Sequence, residues 1–329
     1  MSSQGIAVPE LYCPSPVRDD PDLGELLNEQ LVQWAEQVGI YPGQPDTVRE
    51  AAFGRMMMLC FPGTDDPDRL LAAGKCILAQ WAVDDTYVDD ESLGATVQLQ
   101  GSRLALAKAA LDPVHLPSRY APDLEQVMRD DPVLAAHRSS LAHLAQYADS
   151  SQLARYHYEM AGLYVANGTE ATWRSEGRLP QVWEYLTNRQ PNSFLPSMVM
   201  LDPIGGYQLP FEMYADPRVR RVFMMAGAAS VMVNDLFSMT REGHASGLDF
   251  NLPTVIAAED KCSLKEAIQR SAEFHNEMMH RIEAEATALS ADGTPALRRF
   301  LADVWAWLGG NRAWHAGSAR YSGISGMTN

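Results

Sequence analysis

The sequence predicts an all-α fold. Apolar residues recur with the three- and four-residue spacing of amphipathic helices through most of the 329 residues, as Leu27, Leu31 and Trp34 do near the N-terminus. No stretch alternates apolar and polar residues for long enough to indicate a sheet. Prolines fall where the helical pattern is interrupted, as Pro62 does before Gly63. These observations indicate a series of helices joined by proline-containing loops.

The domain organisation follows from the same pattern and from composition. With 46% apolar and 21% charged residues and no linker in its middle, the chain reads as one globular domain. We expect this helical domain to span 24–323, after a flexible Pro-rich segment, 1–23, and before a flexible tail, 324–329. The predicted helices, in chain order, cover 25–37, 46–60, 68 to the acidic motif described below, 93–111, 132–147, 149–173, 218–242, a stretch opening at Pro253, 263–288 and 295–308.

Composition also excludes several classes of partner. A formal net charge of −16 argues against nucleic acid and against an anionic membrane surface. The four cysteines are scattered without a CxxC pair, which argues against zinc and redox sites. His275 and His280 lie on different helix faces and are expected to be solvated. Because the N-terminus lacks a basic, apolar leader and no later stretch has about 18 uninterrupted apolar residues, we expect a cytoplasmic protein with no integral membrane segment.

An acidic motif, Asp84-Asp85-Thr86-Tyr87-Val88-Asp89, follows an apolar helix. Helical spacing places Asp85 and Asp89 one turn apart with Asp84 beside them, so three carboxylates can converge. Like charges repel, and acids at a helix C-terminus oppose the helix dipole, so a cation would stabilise the arrangement. Oxygen ligands without His or Cys favour Mg²⁺ over zinc. On this motif alone, a solvated acidic helix end is the alternative.

A second polar motif lies in the helix that starts near 218. Asn234, Ser238 and Glu242 recur at i, i+4 and i+8, which aligns three oxygen-bearing side chains along one face. Neutral Asn and Ser with a single carboxylate suit a cation that already carries a polyanion. The alternative is an ordinary polar helix face, although polar groups emerging from a buried helix need partners.

A helix break is predicted between these motifs. Pro191 and Pro196 interrupt an otherwise helical neighbourhood directly after Arg189, which predicts a kinked or broken helix with exposed backbone carbonyls. Asn192 and Ser193 lie at this break.

A last pair, Arg320 and Tyr321, can hydrogen-bond phosphate oxygens, although such a pair by itself usually has no such role. Taken together, the DDxxxD of 84–89, the NDxxSxxxE of 234–242, Arg189 and this pair resemble the class I terpene cyclases of bacteria in identity, order and spacing. The resemblance covers about 240 residues, which makes chance coincidence remote.

The resemblance implies a helical bundle around an apolar pocket, with the metal motifs facing each other at its mouth and three Mg²⁺ ions as cofactor. The residues it assigns to metal are Asp84, Asp85, Asp89, Asn234, Ser238 and Glu242. The residues it assigns to the diphosphate are Arg189, Arg320 and Tyr321. Asn192 falls at the family's linker position, where aspartate is common, and Ser193 at the position of the helix-break effector. The implied partner is an isoprenoid diphosphate, and a homodimer is compatible with the family.

Aromatic residues near the motif ends suit the chemistry that such a site performs. Once diphosphate departs, a carbocation needs a dry wall, and an aromatic face stabilises a cation by about 0.5–2 kcal/mol. Trp81 and Trp314 are placed for this role, with core packing as the alternative for both.

From Arg189 to Tyr321 the sequence is most similar to those family members that act on 2-methylgeranyl diphosphate. We count this substrate as a C16 diphosphate. These members yield a bornane-type alcohol or alkene. A cyclase of geranyl or farnesyl diphosphate is the nearest alternative, because the motif residues contact the diphosphate and not the hydrocarbon. A chain-elongating prenyltransferase usually has two aspartate-rich motifs, unlike 234–242. A non-catalytic isoprenoid-binding helical protein is the remote alternative.

Overall fold

The computed structural model describes residues 8–89, 95–242 and 250–318, without the side chains of 89 and 240–242. Within these residues the secondary structure is helical and contains no strand, which confirms the all-α prediction. One π-helical turn, Asp84–Asp89, follows α4. The α-helices are α1 Pro21–Val38, α2 Pro45–Ala51, α3 Phe53–Cys60, α4 Pro67–Val83, α5 Val97–Leu111, α6 Ala121–Asp130, α7 Pro132–Leu144, α8 Ser150–Glu176, α9 Val182–Arg189, α10 Leu195–Met198, α11 Leu201–Ile204, α12 Phe211–Ala215, α13 Pro217–Glu242, α14 Leu252–Asp260, α15 Leu264–Ala291 and α16 Pro295–Gly317.

Five of the described helices begin with the same signal, a polar cap followed by proline. The capping residues each accept a hydrogen bond from a backbone N–H of the first turn and each precede a proline; they are Asp20, Asp66, Asp131, Asp216 and Thr294. Proline fits there because its missing N–H would have no helical partner and its φ is already helical. This signal starts α1 at Pro21, earlier than the apolar spacing predicted.

The helix α13 lies at the centre of the packing, against α14, α15 and α16. Val222, Ala226, Ala229 and Val233 form its buried stripe at helical spacing. By length and composition, α13 is also the one described helix that could cross a membrane, over Pro217–Met239, but 67% of its apolar stretch is buried inside the bundle. That degree of burial is typical of the core helix of a bundle.

The single helix predicted over 46–60 is wrong, because it is broken at Ala52. Ala52 has a left-handed backbone, with φ of 55°, and separates α2 from α3. The indole N–H of Trp314 donates to the carbonyl oxygens of Ala51 and Ala52, at 3.0 and 3.1 Å. The carbonyl oxygen of Ala52 also accepts from the N–H of Met56, at 3.0 Å. The side chain from α16 therefore supplies the carbonyl of Ala51 with a partner at the break and adds a second donor to that of Ala52.

The helix α16 also continues well past the end predicted at 308. A Cβ on Gly309 would lie 2.7 Å from the carbonyl oxygen of Pro14, and one on Gly310 would lie 2.4 Å from that of Leu59. The two glycines thus allow close packing against the N-terminal segment and α3, and they do not end the helix.

Over the described residues 8–20 the N-terminal segment is not helical, and it is docked on the bundle. Arg18 donates from Nε to the carbonyl oxygen of Met58, at 2.9 Å, and from Nη2 to that of Phe61, at 3.1 Å. These carbonyls belong to the C-terminal end of α3, where helical partners are missing. Leu11 is buried as well. The contacts hold a segment that the sequence had indicated to be flexible.

The two histidines of α15 differ in environment. His280 is exposed, as expected, whereas His275 is fully buried, so the prediction for His275 is wrong. The reason is that Ile268, Ala272 and Met279 share the face of His275 by helical spacing, and this face packs against α13.

Candidate active site

The acidic motif begins where α4 ends. The residues Asp84–Asp89 form a π-helical turn, with backbone bonds from i to i+5, and not the end of an α-helix that the sequence predicted. Asp84 and Asp85 are both partly exposed on this turn. Wide turns of this kind recur at functional sites, and this one presents two carboxylates at the edge of the core.

Tyr41 positions the second of these carboxylates. Its hydroxyl donates to Oδ2 of Asp85 at 2.7 Å. Tyr41 lies in the loop between α1 and α2 with φ of 51°, a left-handed backbone that costs a residue with a side chain about 1–3 kcal/mol. Sequence patterns gave no sign of this contact, because it depends on the shape of the loop.

The second motif lies on the last turns of α13. Asn234 and Ser238 are one turn apart and both partly exposed, as their spacing predicted. The hydroxyl of Ser238 points back along the helix, 3.5 Å from the carbonyl oxygen of Asp235. The backbone of α13 extends to Glu242.

Asp235 is a site residue that sequence analysis missed. It is buried, and it accepts hydrogen bonds from the hydroxyl of Tyr185 at 2.7 Å, the N–H of Leu252 at 3.1 Å and Nη2 of Arg189 at 2.7 Å. A carboxylate within an apolar run needs such partners, and this was the available signal. Asp235 thereby ties α9 and the start of α14 to α13.

Arg189 lies between the second motif and the helix break. Its Nη2 donates to Oδ1 of Asn234 at 3.0 Å, and its Nη1 donates to the carbonyl oxygen of Asn192 at 3.0 Å. Burial opposes the charge, but neighbouring groups including Asp235 and Glu170 raise the pKa of Arg189 above its usual value. The guanidinium is therefore a fixed cation joined to Asn234, 45 residues away.

The chain breaks between α9 and α10, as the prolines predicted. The hydroxyl of Ser193 donates to the carbonyl oxygen of Gln190 at 2.6 Å, and Nδ2 of Asn192 donates to Oε1 of Glu170, on α8, at 2.6 Å. A Cβ on Gly227 of α13 would lie only 3.1 Å from Oγ of Ser193. Glycine at that position lets the break approach α13 closely.

His315 joins the site from α16, and no motif marked it. Its Nδ1 lies 2.8 Å from the carbonyl oxygen of Asn311, which only accepts, so Nδ1 carries the proton. The other nitrogen, Nε2, then accepts from Nδ2 of Asn234 at 3.3 Å. Burial lowers the pKa of His315 to about 3, so the ring is neutral near pH 7. This contact directs the amide nitrogen of Asn234 toward α16 and its oxygen toward Arg189.

The two predicted aromatic residues are neighbours. The rings of Trp81 and Trp314 lie 6.3 Å apart and nearly perpendicular, and Phe53 packs against both. Trp314 is fully buried, whereas Trp81 keeps partial exposure. That either ring faces a substrate stays a prediction.

Four of the predicted site residues cannot be placed. Arg320 and Tyr321 lie outside the described residues, as do the side chains of Asp89 and Glu242. A hollow of about 270 Å³ lined by Arg221 and its neighbours lies at the opposite end of α13 from the second motif.

The described oxygen atoms fit Mg²⁺. Asp84 and Asp85 offer carboxylates, while Asn234 and Ser238 offer an amide and a hydroxyl oxygen, which are the hard donors that Mg²⁺ accepts. Within the described part of the chain, no three His, Cys, Asp or Glu side chains are grouped closely enough to hold a metal by themselves. The second ligand set predicted from helical spacing, Asn234, Ser238 and Glu242, stays a prediction.

Residues 75–281 match the family described as terpene synthase family 2, C-terminal metal binding. The match spans both motifs and the helix break and covers more than half of the chain. The chain belongs to the terpene synthase family, and it is an enzyme of the class I type, a lyase acting on a carbon–oxygen bond. This confirms the family predicted from the motifs.

Within the family, the chain is similar to 2-methylisoborneol synthases. The enzyme of Saccharopolyspora erythraea is 40% identical over 94% of this chain and 89% of its own length. The crystal structure of 2-methylisoborneol synthase from Streptomyces coelicolor in complex with Mg²⁺ and 2-fluoroneryl diphosphate is 37% identical and aligns with a TM-score of 0.92 over 96% of this chain and 98% of that one. The same enzyme in complex with Mg²⁺ and geranyl-S-thiolodiphosphate aligns with a TM-score of 0.89 and equal coverage.

Proposed function

We propose that the protein is a Mg²⁺-dependent cyclase that ionises 2-methylgeranyl diphosphate and closes it to a bornane-type product, with release of diphosphate. The observation that carries this proposal is the 40% identity to a 2-methylisoborneol synthase over 94% of the chain. The carbon count stated above is wrong, because a geranyl chain has ten carbons and the added methyl makes eleven. The substrate is therefore a C11 and not a C16 diphosphate.

The site residues would act on the diphosphate. Asp84, Asp85, Asn234 and Ser238 would hold Mg²⁺, which when bound would supply Lewis-acid stabilisation of the leaving group. Arg189 contributes a fixed positive charge beside Asn234, where charge develops as the allylic C–O bond breaks. From the motif pattern we also assign Asp89 and Glu242 to metal binding. We propose that three Mg²⁺ ions are bound.

The remaining steps concern the hydrocarbon. Arg320 and Tyr321 would hold the diphosphate as the mouth closes, which keeps water from the carbocation until cyclisation is complete. Trp81 and Trp314 would stabilise the cation through their aromatic faces. Water capture of the final bornyl-type cation gives 2-methylisoborneol, and proton loss gives 2-methylenebornane. We further propose that the enzyme is cytoplasmic and forms a homodimer.

A side-by-side incubation with geranyl, 2-methylgeranyl and farnesyl diphosphates tests the substrate. With Mg²⁺ present and volatile products identified by mass spectrometry, we expect 2-methylgeranyl diphosphate to be preferred and to give a bornane skeleton. Preference for geranyl or farnesyl diphosphate would contradict the proposed substrate but would leave the assignment as a terpene cyclase intact. An identical incubation with excess EDTA should give no cyclised product.

A further inference from the structure

We propose that Glu170 is a positioning residue for this reaction: acting through Asn192, it holds Arg189 where the diphosphate is recognised. The inference rests on the proposed function, because it assigns Arg189 to the diphosphate. Glu170 is outside both metal motifs and lies on α8, in the interior of the bundle.

The contacts form a continuous path from α8 to the second motif. Oε1 of Glu170 accepts from Nδ2 of Asn192 at 2.6 Å. The backbone oxygen of the same Asn192 accepts from Nη1 of Arg189 at 3.0 Å, and Nη2 of Arg189 donates to Asn234 at 3.0 Å. Asn192 thus uses its side chain to hold α8 and its main chain to hold Arg189. If the side chain of Asn192 shifts, its main-chain oxygen, which accepts from the guanidinium of Arg189, moves as well.

The hydrogen bond between Asn192 and Glu170 has a fixed direction, with Asn192 as the donor. Glu170 is only 9% exposed, and an ionised carboxylate only accepts, so its partner must donate. An aspartate in place of Asn192 would bring two carboxylates into contact, and such a pair repels or shares a proton. Exchange of both residues would restore the bond with the donor on the other side. This reciprocity distinguishes a specific pair from general packing.

The test compares Asn192→Asp, Glu170→Gln and the double variant. We expect Asn192→Asp to weaken Mg²⁺-dependent binding of inorganic diphosphate by about 10- to 100-fold, the range for loss of a residue that orients a ligand. Glu170→Gln keeps an oxygen acceptor, so a loss of less than about fivefold is expected. In the double variant the new amide donates to the new carboxylate, and affinity should return to within about threefold of the parent. Calorimetric titration gives the affinities, and kcat/KM should follow them.

Asn188→Asp is the matched control. The side chain of Asn188 also donates to α8, to the carbonyl oxygen of Ala166 at 3.2 Å, one turn before the break. This variant also loses a hydrogen bond from an asparagine amide to α8, here to a backbone carbonyl, and should leave diphosphate affinity within about twofold of the parent. Thermal unfolding of every variant shows whether it is folded.

Two outcomes would overturn the inference. The first is a double variant that binds diphosphate no better than Asn192→Asp. The second is an equal loss in Asn188→Asp, which would mean that any loosening of α9 from α8 suffices. Failure of the proposed function has a different signature, since it appears in the parent enzyme as absence of a bornane product, whereas inorganic diphosphate binding does not depend on the hydrocarbon.

Discussion

The side-chain nitrogen Nδ2 of Asn234 lies 3.3 Å from Nε2 of His315. The other ring nitrogen of His315, Nδ1, is hydrogen-bonded to the main-chain carbonyl of Asn311 in the same helix. Because one ring nitrogen must donate, the other accepts, and the amide of Asn234 is left with one orientation. Its oxygen then lies on the side of Arg189, at 3.0 Å from the guanidinium. The proposed metal-binding role of Asn234 requires that oxygen, so under this proposal α16 orients a ligand carried by α13.

Replacement of His315 should therefore weaken metal binding. We expect His315→Leu to raise the Mg²⁺ concentration for half-maximal rate by about 10-fold or more, since residues that orient a ligand typically contribute 10- to 100-fold. The Mg²⁺ dependence of initial rate at saturating substrate measures the effect. A lower rate with an unchanged Mg²⁺ requirement would contradict the orienting role.

Two serines of α13 separate metal binding from packing. Ser238→Ala removes a proposed ligand oxygen and should raise the Mg²⁺ requirement by at least about 10-fold. Ser230→Ala is the control, because the buried hydroxyl of Ser230 accepts from the indole of Trp307, at 3.2 Å, and Ser230 is not a proposed ligand. It should lower the free energy of unfolding by about 1 kcal/mol and leave the Mg²⁺ requirement unchanged. Equal Mg²⁺ requirements in the two variants would argue against Ser238 as a ligand.

Tyr41→Phe should have a smaller effect on the acidic motif. The variant removes the hydroxyl that holds Oδ2 of Asp85 at 2.7 Å, so we expect the Mg²⁺ requirement to rise several-fold while the protein stays folded. Tyr87→Phe is a matched control, since the hydroxyl of Tyr87 donates at 2.6 Å to Asp131, which is not a proposed ligand. A shift in Mg²⁺ requirement of the same size in both variants would show that Tyr41 acts only through the stability of the π turn.

Two glycines test the close approach of α16 to α3. Gly310→Ala would put a Cβ 2.4 Å from the carbonyl oxygen of Leu59, so the free energy of unfolding should fall by about 3 kcal/mol or more. Gly168→Ala, in the interior of α8, meets no atom within 4 Å and should raise it by about 0.5–1 kcal/mol. Urea unfolding measures both values. A Gly310→Ala variant of parental stability would mean that the two helices can separate without cost.

Acid should destabilise the fold through buried histidine. Burial lowers the pKa of His137 to about 3, against about 6.5 in the unfolded chain. Between these pKa values only the unfolded chain takes up the proton. The stabilisation that comes from keeping His137 neutral is therefore present above pH 6.5 and is lost as pH falls. From pH 7 to pH 5, the parent should lose about 2 kcal/mol more than His137→Gln, by urea unfolding at both pH values. An equal loss in the two proteins would contradict the lowered pKa.

Much of the fold was open to prediction because it depends on local chemistry. Helical spacing of apolar residues gave the fold class, and Pro191 with Pro196 located the break after α9. The missed features have non-local causes. The left-handed Ala52 is stabilised by an indole from α16, and the continuation of α16 past 308 reflects packing of its glycines against α3.

The sequence by itself determined the all-α class, the two oxygen-rich motifs and the family, because spacing along a helix and the order of motifs are properties of the chain. Only the tertiary structure showed which residues support those motifs. Tyr41, Glu170, Asp235 and His315 act on residues more than 20 positions away, and hydrogen bonds across such separations leave no local pattern. The types of the proposed ligand side chains could therefore be read from the sequence, whereas their orientation was decided by the packing of α8, α9 and α16 around α13.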